Sequence, residues 1–210
     1  MKFAGLTGGI GCGKSTVAGL LSARGAMVVD VDLVSREVQQ PGQPVFTAMV
    51  ERWGSRILAG DGTVDRQAVA DLVFNDPAER AALHGITDRA IEDVMRRRIS
   101  ARHGTDDIVL LEAALLVGAR QLYGTRGLVV VDVPDEEAIS RLVRSRGMRE
   151  ADARARMAAQ LPRETRIRNA DFLVDNSGGP EQLEPQVERL WEWLGSLPDS
   201  VFEPRARDQG

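Results

Sequence analysis

Eight residues near the start of the chain restrict its fold more than any other feature: Gly8-Gly9-Ile10-Gly11-Cys12-Gly13-Lys14-Ser15. They complete the spacing G-x-x-x-x-G-K-[ST] between residues 2–7, which read as a short strand, and Ser15–Arg24, which read as a helix. Glycine lets the backbone curl tightly, so that successive N–H groups point inward at phosphate oxygens. The helix that follows adds the positive end of its dipole. Gly9, Gly11, Cys12, Gly13 and Thr16 are therefore expected to line the phosphates of a nucleotide. Lys14 is expected to reach the β and γ phosphates, and the Ser15 hydroxyl to ligate Mg²⁺. Only Lys2 and Lys14 are lysines among 27 basic residues, the rest being arginine. Position 14 thus keeps a lysine in a chain that otherwise writes arginine. The loop alone does not separate a kinase from a GTPase, a motor or a nucleotide-binding regulator.

The remaining pattern places this loop in a sheet. Residues 26–29, 108–111, 128–133 and 172–174 read as further strands, several of them unbroken aliphatic runs of the kind buried on both faces of a parallel sheet. Helical stretches fall near 33–39, 44–53, 65–74, 77–102, 135–145 and 180–194. Alternating strands and helices imply an α/β fold: a parallel sheet of the P-loop NTPase type flanked by helices, with a helical lid and acceptor-binding insertions. A single kinase domain is expected over 1–197, with its core at about 1–35, 105–140 and 170–197. The acceptor-side helical region is expected at about 36–104, the lid at about 141–169, and a frayed tail at 198–210. Ligands of such folds gather at the carboxyl ends of the strands. Gly8–Ser15, Asp30–Asp32 and Glu112 should therefore converge on one crevice.

Charge and composition narrow the partners. The net charge of -4 leaves no electrostatic footprint for general nucleic-acid binding. No apolar run approaches the ~20 residues of a membrane span. Met1–Thr7 runs straight into the loop and leaves no room for a signal peptide, so the cytoplasm is the expected address. Cys12 is the only cysteine, which excludes an intrachain disulfide or a cysteine-based zinc site. Its simplest reading is a small residue at a variable loop position. The alternative is a redox-sensitive thiol, because a helix N-terminus lowers thiol pKa. His84 and His103 are too few for a histidine metal cluster and read as surface or packing residues.

Three further features carry chemistry. Asp30 and Asp32 follow the second strand; Asp32 is placed either to cap the next helix or to act as a base or metal-orienting group beside a γ phosphate. Ile108-Val109-Leu110-Leu111-Glu112 has the form of a strand delivering one acid to Mg²⁺ or water. Residues 141–168 hold nine arginines. They form either a solvated helical face or a lid that closes over ATP and brings arginine to the transferring group.

Several stretches together resemble the dephospho-coenzyme A kinase family over nearly the whole chain. They are Gly5-Leu6-Thr7-Gly8-Gly9-Ile10-Gly11 with Gly13 to Ala18, Asp30-x-Asp32 with Ser35-Arg36-Glu37, and Asp61-Gly62-Thr63-Val64-Asp65-Arg66 with Phe74. Arg141-Leu142, Glu150 to Arg156, Gln160, Ala170-Asp171-Phe172 and Asp175-Asn176-Ser177-Gly178 complete the set. The resemblance implies transfer of the ATP γ-phosphoryl group to a ribose 3′-hydroxyl. It implies Asp32 as general base, Arg36, Leu115 and Leu116 on the acceptor, Arg141 with Arg144 or Arg146 as lid arginines, and Asn176 near the adenine. Two segments depart from the family pattern. Asp88-Arg89 stands where His-Pro is usual. Glu112-Ala113-Ala114-Leu115-Leu116-Val117-Gly118 stands where Asp-x-Pro-Leu-Leu-x-Glu is usual. A kinase of another nucleoside-like acceptor, or a regulator without catalysis, are the competing readings.

Overall fold

The computed structural model describes residues 1–74, 76–113, 116 and 122–203. Its chain divides into two compact units, Met1–Val29 with Ile99–Gly210, and Asp30–Arg98.

The first unit is built on a five-stranded sheet in the order β2-β3-β1-β4-β5. The strands are β1 (Lys2–Gly8), β2 (Met27–Asp30), β3 (Ile108–Glu112), β4 (Leu128–Asp132) and β5 (Phe172–Asp175). β1 pairs in parallel with β3 and β4, and β4 in parallel with β5. Every residue of β4 and four of the five in β3 are buried, as aliphatic runs covered on both faces require. Helix α1 (Lys14–Ala23) and helix α9 (Pro180–Ser196) pack one apolar stripe each against the sheet. Val17 and Leu21 from α1 join Leu183, Val187, Leu190 and Leu194 from α9 in a core with Leu6, Leu110, Val129 and Val131. Register follows from the same burial: Leu6 lies opposite Glu112, and Asp132 opposite Asp175. The phosphate loop, Glu112, Asp132 and Asp175 therefore all leave the carboxyl edge of paired parallel strands.

The arginine-rich stretch is three helices: α6 (Asp135–Arg146), α7 (Glu150–Ala158) and α8 (Arg163–Arg168). α6 ends at Gly147 in the left-handed conformation, and Pro162 precedes α8. Ile139, Leu142 and Ala153 form a small core between α6 and α7, with Ile10, Met148 and Met157 against it.

Residues 199–203, expected to fray, are anchored instead. Ser200 N–H donates to the Met1 carbonyl, Phe202 N–H to His103, and the Phe202 ring stacks on Tyr123 at 5.4 Å. His103 thus has a packing role. Phe202 is buried, which gives an otherwise polar segment an apolar anchor.

The second unit is helical: α2 (Val31–Val38), α3 (Pro44–Trp53), α4 (Arg66–Phe74) and α5 (Pro77–Ser100), the last running on past the unit's end at Arg98. Glu79 joins α5 to α3, accepting from Trp53 Nε1 at 2.7 Å and Arg52 Nε at 2.9 Å, and these bonds hold its carboxyl below the usual range. No described helix is long and apolar enough to cross a membrane.

Candidate active site

The loop between β1 and α1 has the expected form. Gly13 caps α1 at φ 86°, a conformation open to glycine and costly for other residues. A side chain there would also collide with Asn176, whose Nδ2 lies 2.2 Å from the position of a Cβ. Lys14 Nζ bends back to the Gly8 carbonyl at 3.4 Å, and Ser15 and Thr16 are exposed.

Cys12 faces the other way. Its side chain is buried in the sheet core, and burial pushes the thiol above its ordinary value although Lys14 and Arg166 draw it down. Desolvation outweighs the helix end, so the activated thiol of the alternative reading is overturned. The loop contribution of Cys12 is its backbone: its carbonyl accepts from Asn176 Nδ2 at 2.8 Å.

Asn176 and Arg141 form one assembly with the loop. Arg141 Nη2 donates to the Asn176 carbonyl at 2.7 Å and its Nε to Glu137 at 3.0 Å. Arg144 is exposed and 3.6 Å from Glu137, while Arg146 is exposed further along α6. Of the expected lid arginines, the structure brings Arg141 alone to the loop.

Around the loop stand residues that sequence reasoning passed over or left without a role. Asp132, at the end of β4, holds Arg163 through bonds of 2.6–3.1 Å, and its side chain is 7% exposed. Gln160 Oε1 accepts from Ile10 N–H at 2.9 Å. The Arg166 guanidinium lies against Gly9, with Nη2 2.7 Å from where a Cβ would stand, and Arg166 is 6% exposed. Asp132 had the same signal as Glu112, an acid closing an aliphatic strand.

Glu112 closes β3, with Ala113 N–H donating to the Leu6 carbonyl. Leu116 is buried beside Gly5 of β1, 3.2 Å from the position of a Cβ there. Leu115 lies outside the described residues.

In the second unit one of the two roles expected for Asp32, that of helix cap, falls to another residue. Asp30 is the cap: its Oδ1 accepts from Asp32 N–H at 2.8 Å and Leu33 N–H at 3.1 Å. Asp32 in the first turn is exposed, and among the described residues no side chain or backbone group donates to its carboxylate. Arg36 sits one turn further along α2. Residues 58–65 form a tight turn: Leu58 bridges Val64, Asp61 accepts from Thr63, and Asp65 caps α4 through Gln67 N–H and Ala68 N–H. Arg66 then stands at the head of α4. Partial burial and the positive charge of Arg36 lower its pKa, and the negative charge of Asp32 raises it, so the three groups share one electrostatic neighbourhood.

The departures at Asp88-Arg89 are absorbed within α5. Asp88 is 3.2 Å from His84 and Arg89 3.9 Å from Asp93, each one turn away, with both substituted side chains exposed. A proline at this point would remove a bond from the ladder.

The chain is similar to known proteins along most of its length. The dephospho-CoA kinase family model matches residues 2–182. A dephospho-CoA kinase of Corynebacterium efficiens is 43% identical over 188 residues, 89% of this chain and 94% of the relative. One from Geobacter sulfurreducens is 36% identical over 192 residues, 91% and 98% of the two chains. A Thermus thermophilus crystal structure superposes with a TM-score of 0.77 at 30% identity, covering 91% of this chain and 97% of that one. The dephospho-CoA kinase of Campylobacter jejuni shares the fold at TM-score 0.61 and 17% identity, over 92% and 97%. With a complete phosphate loop and a match that spans both units, this chain belongs to the dephospho-CoA kinase family.

Proposed function

We propose that the protein transfers the γ-phosphoryl group of ATP to the ribose 3′-hydroxyl of dephospho-coenzyme A, giving coenzyme A, and does so in the cytoplasm. The observation that carries the acceptor is the reach of the family match, which covers residues 30–98 as well as the loop. The departure at Asp88-Arg89 does not count against it, since those side chains pair along their own exposed helix face.

The loop N–H groups and Lys14 bind and orient the phosphates, and Arg141 and Asn176 brace the loop beneath them. Asp32 takes the hydroxyl proton as the oxygen attacks in line; a carboxylate that does not cap its helix, and to which no group among the described residues donates, is available for that step. Arg36 lies on the same helix face one turn away and contacts the acceptor. The oxygen donors Ser15, in the first turn of α1, and Glu112, at the carboxyl end of β3, suit Mg²⁺, which takes few protein ligands. When bound it neutralises charge on the transferring group.

The test is ADP release from Mg²⁺·ATP with and without dephospho-coenzyme A. Strong stimulation with coenzyme A as product is expected; ATP binding without stimulation would overturn the acceptor assignment. A panel of nucleosides and nucleotides then searches for another acceptor.

A further inference from the structure

Of the nine arginines between 141 and 168, Arg166 is the most deeply placed, and it lies on the phosphate loop. The placement is built from the sheet outward. Asp132, closing β4, grips Arg163 at the first position of α8 through three bonds, and this lifts Arg163 above its ordinary pKa. Gln160, just before α8, bonds Ile10 N–H of the loop. Arg166 follows Arg163 by one turn, and both ends of its approach are defined. Its Nη1 donates to the Leu161 carbonyl, and its Nη2 and Cζ lie 2.7 Å and 3.1 Å from where a Gly9 Cβ would be. Glycine at position 9 is what permits this approach.

Charge makes the placement chemically pointed. Among the described residues no carboxylate lies at ion-pair distance from Arg166, and Asp132 is held by Arg163. A guanidinium carries five N–H donors, and the Leu161 carbonyl uses one. Lys14 belongs to the same loop, and the charges of both Lys14 and Arg166 act on the Cys12 thiol. Two cations are thus gathered at one loop, and the acid whose charge also reaches Cys12, Asp132, is held by Arg163. A dianionic phosphoryl group cradled by that loop is the partner such an arrangement fits, and the planar fork matches it bidentately.

We infer that Arg166 is a catalytic residue that holds the γ-phosphoryl oxygens of ATP at the loop, a role the family resemblance assigns to the lid arginines of α6. It deepens the reading of the protein as an ATP-dependent kinase but does not depend on which acceptor is used. A structural role alone, bracing Leu161 against Gly9, would affect every nucleotide equally.

The experiment compares affinities for ADP and for the non-hydrolysable β,γ-imido analogue of ATP, both with Mg²⁺, in the wild-type protein, Arg166→Met and Arg166→Lys. Arg166→Met is expected to weaken the triphosphate analogue on the order of 10- to 100-fold and ADP less than about 3-fold. Arg166→Lys, which keeps the charge but loses the fork, falls between. Equal weakening of both nucleotides, or of neither, overturns the inference. If Arg166→Met does not fold, the same contrast is read from Arg166→Lys. A wild-type protein that gives the contrast but no turnover with dephospho-coenzyme A sinks the acceptor assignment and leaves Arg166 in place.

Discussion

At the scale of single residues, roles divide by what each side chain has left over once local structure is made. Asp30 spends its carboxylate on two N–H groups of α2, and among the described residues no group donates to the carboxylate of Asp32, two residues on. Asp30→Ala should therefore cost about 0.5–2 kcal/mol of stability in denaturant unfolding. Asp32→Asn should leave stability and ATP affinity near wild type while reducing kcat by roughly 10²-fold or more. Unchanged kcat in that variant would return Asp32 to a structural part. Lys14→Ala should abolish turnover, and full activity would sink the loop assignment. The Cys12 thiol makes a separate prediction. Burial raises its folded pKa above 9.0, the value it takes when exposed, so the folded protein stays protonated where the unfolded chain ionises. Stability from this group is complete below pH 9.0 and declines as pH rises from there toward the raised value. Alkylation by iodoacetamide at pH 8 should be slow in the native protein and fast in denaturant. Rapid native labelling would contradict the buried placement.

Elements decide which of many similar residues matter. The arginines of 141–168 are indistinguishable by composition, yet α6 turns Arg144 and Arg146 to solvent and Arg141 to the loop. Gly147 and Pro162 break the stretch into three helices, and the last is tied to β4 by Arg163 and Asp132. Arg163→Met leaves a nearly buried carboxylate unpaired and should destabilise by about 1–3 kcal/mol, the exposure of Arg163 limiting the effect. Asp132→Asn with Arg163→Met should recover part of that loss in a double-mutant cycle; additive losses would show that the pair is not coupled. In the second unit the turn at 58–65 consumes Asp61, Val64 and Asp65 and delivers Arg66 to the charges of Asp32 and Arg36. Arg66→Met should raise the KM for acceptor with little change in ATP affinity, and an unchanged KM would assign Arg66 to solvent.

For the whole molecule, the anchoring of residues 199–203 is a stability feature. Removing residues from 199 onward exposes the faces covered by Phe202 and breaks the bonds to Met1 and His103, at a cost of about 2–4 kcal/mol. A melting temperature unchanged by that truncation would contradict it. The sequence by itself determined the parallel sheet, the phosphate loop and the family, because glycine spacing and buried aliphatic runs are local signals written at fixed offsets. The stripe on α9 and the strand ends were legible for the same reason. Tertiary structure alone decided that Asp30 and not Asp32 is the cap, that Cys12 faces the core, and that Leu116 is buried beside Gly5. It also chose Arg166 and Arg163 from a row of nine arginines. Those choices rest on partners such as Asp132, distant in sequence, and on desolvation, and neither leaves a periodic mark in the chain.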